Sequence, residues 1–251
     1  MLKTEGIVLR ETKYQETSKI LSIYTKKMGK ISVMAKGANR PKSTLIANTQ
    51  PFSYNEYQFS QGKSFYYINQ ADIIDSFYDI RENMDRVIYG FYLLELIEKS
   101  MPDEEPNEKI FLLLEKTLRL LSQIEDNYLK LIVAFELKYI SFLGYKPYLE
   151  ECVMCGNKES SGYKFSNNQG GIICNYCYPK DFSAKLISKE VYTSMVKFMY
   201  ARLEDLDHIE VSEDTLCRVH DIIENYILYN IDRKEFNSLN MFKLNKLNID
   251  E

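Results

Sequence analysis

Several patterns are missing from these 251 residues, and each gap removes a class of function. No run approaches eighteen uncharged apolar residues, so no membrane-spanning helix is expected. The opening Met1-Leu2-Lys3-Thr4-Glu5 lacks the apolar stretch of a secretory signal, and a cytoplasmic, reducing location is the expectation. There is no Gly-rich phosphate-binding loop of either common type, and an enzyme reading finds little to hold. Histidine is scarce: His208 and His220 stand alone, neither near a convincing nucleophile, and both read as loop or helix-surface residues. His208-Ile209-Glu210 matches the H-x-E of zinc deaminases, but those sites add a later P-C-x-x-C and keep one metal position open to water. No clear metal-carboxylate motif supports a nuclease. Internal repeats and low-complexity tracts are also absent.

Cysteine is sparse too, yet four of the five fall into two pairs. Cys152-Val153-Met154-Cys155 is followed, after eighteen residues, by Cys174-Asn175-Tyr176-Cys177. Two C-x-x-C pairs at this separation match a structural zinc site. Two residues between cysteines let a tight turn aim both sulfurs at one tetrahedral metal about 2.3 Å away. Four thiolates leave no open position for water, so a single structural zinc is expected on Cys152, Cys155, Cys174 and Cys177. The competing readings are a redox C-x-x-C, which usually stands singly, and two disulfides, which need an oxidising compartment. Cys217 lies in a helical pattern and reads as an inert, partly buried thiol.

The net charge of −4 conceals an asymmetry. Residues 1–45 carry ten Lys/Arg against three Glu, whereas residues 46–251 carry 22 against 33. A basic binding end on an acidic body is the natural reading, with scattered solvated charge as the bland one.

From residue 4 to about 80 the apolar period is that of strands. Ile7 and Leu9 alternate with Val8 and Arg10; Ile20 to Tyr24 and Ile31 to Ala35 follow, with Gly29 able to take the positive φ of a hairpin between them. After a loop from Gly37 to Gln50, Phe52 to Phe59 and Ser64 to Asn69 make two more strands, and five short strands suggest a small antiparallel barrel. At Met84 the period becomes 3.6, placing Met84, Val87, Ile88, Phe91, Leu94 and Ile97 on one helical face. Ile110 to Ile124 is dense in leucine and is expected to be buried on most sides; Tyr128 to Phe142 forms a third helix. Short strands are expected around Tyr163-Lys164-Phe165 and Ile172-Ile173. Ser188 and Ser212 can cap two further helices, and residues 245–251 are expected to fray.

The basic end carries the chemistry. Lys26, Lys27 and Lys30 cluster at one hairpin, Lys36, Arg40 and Lys42 follow, and Arg10 joins them as a candidate. Phosphate neutralisation needs several cations on one face but no fixed spacing. Nine aromatics lie between Phe52 and Tyr78, most expected in the core, with room for two or three outside on which bases can stack.

Gly6-Ile7-Val8-Leu9-Arg10, Tyr14-Gln15-Glu16, Gly29-Lys30-Ile31-Ser32-Val33 and Ala35-Lys36-Gly37-Ala38-Asn39-Arg40-Pro41-Lys42-Ser43 resemble the start of the RecO recombination-mediator family. Gln50-Pro51-Phe52, Leu94-Glu95-Leu96, Phe135-Glu136-Leu137, Leu143-Gly144-Tyr145-Lys146-Pro147 and both cysteine pairs continue the resemblance to about residue 180. Asn39 departs from it, standing where relatives often carry a basic residue. The resemblance implies an α+β multidomain chain: an N-terminal OB-fold β-barrel (1–80), an α-helical domain (81–147 and 182–251) and an inserted four-cysteine zinc-binding module (148–181). It implies a DNA-repair protein, not an enzyme, that binds single- and double-stranded DNA and anneals complementary strands. With RecR it would help load RecA onto SSB-coated DNA, in the nucleoid-associated cytoplasm. The SSB C-terminal tail would need an apolar groove flanked by cations, for which Lys116, Arg119, Lys130 and Lys138 are the candidates. The reading of another class is a zinc-ribbon interaction scaffold acting in transcription.

Overall fold

The computed structural model describes residues 1–238, which part into two units: residues 1–123 with 236–238, and residues 124–235.

In the first unit, β1 (Leu2–Tyr14), β2 (Ser18–Thr25), β3 (Gly29–Ala35), β4 (Tyr54–Gln61) and β5 (Tyr66–Asp75) close into a barrel in the order β1-β2-β3-β5-β4, with β4 returning to β1. That order is the arrangement of an OB-fold. It is not wholly antiparallel. β4 runs against both of its neighbours, which leaves β5 parallel to β3 where Val33 meets Tyr66 and Met34 meets Tyr67. Val8, Leu21, Ile23, Ile31, Val33, Tyr57 and Phe59 fill the interior, the last two rings stacked 5.1 Å apart. The alternation expected for β1 fails at its centre, where Ile7, Val8 and Leu9 are all buried. A bulge between Val8 and Arg10 breaks the register with β2, and a helix covers the outer side of both strands, so this stretch is buried on two faces.

That helix is α1 (Met84–Ser100), started by Asn83, whose side chain accepts from the Arg86 amide. Its burial does not follow the expected single face. Tyr89, Gly90, Tyr92, Leu93 and Leu96 are buried beside Ile88, Leu94 and Ile97, while Met84 and Phe91 are exposed. The cause is that neighbours cover more than one side: Gly90 admits the Phe52 ring, and Tyr92 meets Phe236 edge-on at 5.3 Å. Glu95 of α1 accepts from the Asn237 and Ser238 amides at 2.9 and 2.8 Å, fixing the returning chain. In α2 (Glu108–Gln123) the buried stripe is Ile110, Phe111, Leu113, Leu114, Thr117, Leu118 and Leu121, whereas Leu112 and Lys116 are exposed. The helix is amphipathic, not buried on most sides; its leucines outnumber the inward positions.

In the second unit α3 (Tyr128–Phe142) is the helix buried on most of its surface. A three-stranded sheet follows, β6 (Tyr163–Ser166), β7 (Gly171–Cys174) and β8 (Lys185–Ile187), ordered β7-β6-β8. The third strand, three residues without alternation, carried no sequence signal. Ser188 accepts from the Val191 amide to start α4 (Lys189–Tyr200), and Ser212 accepts from the Thr215 amide to start α5 (Glu213–Asn230). α4 and α5 both pack on α3. By their contacts α1, α2 and residues 236–238 group with the barrel, and α3, α4 and α5 with the cysteine-bearing chain. The expectation for residues 245–251 lies outside the described residues.

Candidate metal centre and nucleic-acid face

Local backbone geometry gathers the four cysteines. Gly156, at φ +72°, lets the chain double back so that its amide donates to the Cys152 carbonyl at 2.8 Å, while the Cys152 amide reaches the Asn157 carbonyl. The Val153 amide donates to Ile172 at 2.9 Å and ties this turn to β7, whose last residue is Cys174. A 3-10 turn from Asn175 to Lys180 then turns Cys177 inward. The four Sγ atoms lie within 4.8 Å of one another, and those of Cys155 and Cys174 are 3.6 Å apart. That distance is too long for a disulfide and close to the tetrahedral edge of about 3.8 Å that metal–sulfur bonds of about 2.3 Å require. Among the described residues no other group of three or more His, Cys, Asp or Glu side chains converges in this way.

The donor set fits a metal chemically as well. Burial opposes ionisation of Cys152, but the backbone amides of Cys174, Met154 and Cys155 outweigh it and hold the thiol at about 6. Burial pushes Cys177 up to about 12, reinforced by hydrogen bonding with the other sulfurs. Four clustered sulfurs cannot all ionise without a cation between them, and a soft divalent metal would supply it.

The predicted phosphate ligands fall into two sets. Lys26 pairs with Glu5 at 3.4 Å and Glu108 at 3.7 Å; Arg10 pairs with Glu98 at 3.1 Å. Lys30 pairs with Asp103 at 3.3 Å and donates to the Glu98 carbonyl at 2.8 Å. Lys27, Lys36, Arg40 and Lys42 are exposed, and none takes part in an ion pair among the described residues. Lys27 lies in the β2–β3 hairpin, at the opposite end of those strands from the others, and the loop bearing Arg40 and Lys42 is built, not slack. Its near end is held by the Asn39 amide on the Thr17 carbonyl at 2.9 Å and by the Asn39 side chain on the Ser18 carbonyl. Its far end is held by the buried Asn48, which donates to Asn55 at 2.8 Å and accepts from the Tyr57 hydroxyl at 2.7 Å. Asn39, the departure from the family pattern, therefore serves as an anchor. The Lys36 ammonium lies 4.7 Å over the half-buried ring of Tyr67. Lys13, exposed near the same β1–β2 turn, went unnoticed in the sequence because it stands alone in a strand.

Of the nine aromatics, Phe52, Tyr54, Tyr57, Phe59 and Phe77 are buried; Phe65, Tyr66 and Tyr67 are half-buried and Tyr78 is exposed. The four candidate cations for a partner tail are not one set. Lys116 and Arg119 stand on α2, Lys130 and Lys138 on α3. Arg119 is engaged by Glu115 and Asp75 and lies over Phe77, and Lys138 donates to the Met199 and Ala201 carbonyls at the end of α4. His208 is exposed in a short turn; His220, expected on a helix surface, is instead largely buried, 3.1 Å from the wholly buried Glu136. The reason is that α5 lays this residue against α3. No helix among the described residues is long and apolar enough to cross a membrane.

The comparison with known proteins agrees with this layout. The model of the Recombination protein O N-terminal family matches residues 1–77, and that of the C-terminal family residues 81–240. The DNA repair protein RecO of Alkaliphilus metalliredigens is 39% identical, over 97% of this chain and 99% of its own. Those of Acetivibrio thermocellus, 32% identical over 96% of each chain, and Bacillus pumilus, 34% identical over 97% and 96%, are similar along almost their whole length. With an OB-type barrel at its head and a four-cysteine cluster behind it, the chain belongs to the RecO family of DNA repair proteins.

Proposed function

We propose that the protein is a non-enzymatic mediator of recombinational repair that holds single- and double-stranded DNA on the loop side of its barrel and anneals complementary strands. One observation carries this reading: Lys36, Arg40 and Lys42 stand exposed and unpaired by acids at one end of β2 and β3 on a barrel of OB type, the loop bearing Arg40 and Lys42 anchored at both ends, and Lys27 stands likewise at the hairpin that ends those strands on the other side. Anchored cations lose little freedom on meeting a phosphate, so more of the electrostatic gain is retained as affinity. Annealing requires no covalent chemistry. It requires that the repulsion between two strands be reduced while their bases stay able to pair, and contacts confined to sugar-phosphate do that.

Cys152, Cys155, Cys174 and Cys177 would hold one zinc, whose part is to close a module too small to stabilise itself. In the cell the protein would act in the nucleoid-associated cytoplasm, with RecR to load RecA onto SSB-coated DNA. The barrel at residues 1–80 would carry the nucleic acid, and the remaining helices (81–147 and 182–251) and the module at 148–181 would serve the protein partners. For the SSB tail, Lys130 on α3 is better placed than Arg119 and Lys138, whose charges are already engaged.

Annealing of complementary fluorescent oligonucleotides by the full chain tests the reading. The Lys27→Ala, Arg40→Ala, Lys42→Ala triple variant should anneal far more slowly while keeping its helicity and metal content. Equal annealing by a folded triple variant would exclude this face, and metal-dependent cleavage of the strands would exclude the non-enzymatic reading.

A further inference from the structure

We propose that the acidic segment from Glu98 to Glu108 marks the boundary of the strand-binding face, by occupying hairpin cations that a nucleic acid would otherwise engage. The inference rests on the nucleic-acid reading above and assigns a role to residues outside the basic set. Glu98, Asp103 and Glu108 pair with Arg10, Lys30 and Lys26 respectively, at 3.1, 3.3 and 3.7 Å. The remaining acids of the segment, Glu104 and Glu105, are exposed beside them.

Backbone contacts seat the segment, so charge alone does not hold it there. The Glu104 amide donates to the Lys30 carbonyl at 2.9 Å, and Lys30 bridges Asp103 in a parallel pairing. A Cβ on Gly29, at φ +71°, would lie 2.4 Å from the Glu105 carbonyl oxygen, so only glycine permits this approach. The Tyr24 hydroxyl donates to the Asn107 carbonyl, and the Ser22 hydroxyl donates to Glu98. The side chain of Lys30 retains 15% exposure as a result and that of Lys26 27%.

A phosphate approaching this end would have to exchange one anion for another at each cation, with little net gain, and would meet two further carboxylates. Lys27, exposed in the same hairpin, needs no such exchange, nor do Lys36, Arg40 and Lys42 at the other end of β2 and β3. The acids thereby determine which cations count toward binding and where along the barrel the strand stops. A purely structural ion-pair network would lack this consequence.

The test is the salt dependence of binding of a labelled oligothymidylate to the full chain. Asp103→Asn with Glu108→Gln, side chains that are 78% and 65% exposed, should fold as the wild type does and steepen the log–log slope by about 0.7, the one contact released at Lys30, since Lys26 keeps Glu5 at 3.4 Å. Adding Lys26→Ala and Lys30→Ala should remove that gain, although the same two alanines in the wild-type background should leave its slope unchanged. Glu190→Gln with Glu213→Gln, equal in charge but on α4 and α5, should not alter the slope. Glu98→Gln is an independent variant, expected to add about 0.7 through Arg10. Wild-type slopes in the folded Asp103→Asn, Glu108→Gln and Glu98→Gln variants would overturn the proposal, as would a steepening that survives loss of Lys26 and Lys30. Binding that ignores Arg40→Ala with Lys42→Ala would overturn the strand-binding face itself.

Discussion

His220 and Glu136 show how a single buried pair links chemistry to stability. Burial pushes the imidazole toward neutrality, but Glu136 on α3, with Glu224 and Asp221 on its own helix, outweighs burial and raises its pKa above 6.5. A group whose folded value is raised contributes stability that is fully present below its unfolded value and lost as pH rises through the folded one. The second unit should therefore weaken as pH climbs from about 6.5, read as a falling urea midpoint. Glu136→Gln should flatten that dependence and cost about 3–5 kcal/mol at low pH, where a charged imidazole stays buried without its partner. A wild-type midpoint that rises over this range would contradict the assignment. The cysteines give a second prediction at this scale. Purified protein should contain one zinc per chain, and Cys174→Ser should lose it and loosen β6, β7 and β8, since a structural zinc supplies about 10–16 kcal/mol of apparent binding energy in small modules. Metal-free protein with an unchanged melting temperature would refute the metal centre.

Among the elements, α1 is the most constrained. The Phe52 backbone sits at φ +74° and its ring fits against Gly90, where a Cβ would come within 2.8 Å of the ring edge. Gly90→Ala should destabilise the first unit by about 1–3 kcal/mol, as overpacking does, with the second unit unaffected. Differential scanning calorimetry of the variant separates the two, and an unchanged first transition would show that the ring is free to shift. Much about the elements was legible in the sequence because it depends on neighbours in the chain: the caps at Ser188 and Ser212, the turn at Gly29, the sulfur pairs. The rest depends on what comes to lie against an element. Nothing local announces that Leu9 will be covered from outside the barrel, that Met84 and Phe91 will face water, or that α3 and not α2 will be enclosed. The engaged state of Lys26 and Lys30 was hidden for the same reason, since Asp103 lies in the α1–α2 connection, Glu108 opens α2 and Glu5 stands on the neighbouring strand β1.

For the molecule as a whole, the basic first 45 residues and the acidic remainder are not two independent zones. Part of the basic charge is consumed by acids at the hairpin, and the part left exposed at Lys27, Lys36, Arg40 and Lys42 is what a strand can use. Counting sequence charge overstates the face, and counting unpaired cations gives its working size. The log–log salt dependence of single-strand binding measures that number. Four phosphate contacts at about 0.7 each predict a slope of about −2.8 for the wild type, falling close to zero when all four cations are replaced by alanine. A quadruple variant that folds and keeps the wild-type slope would contradict the account.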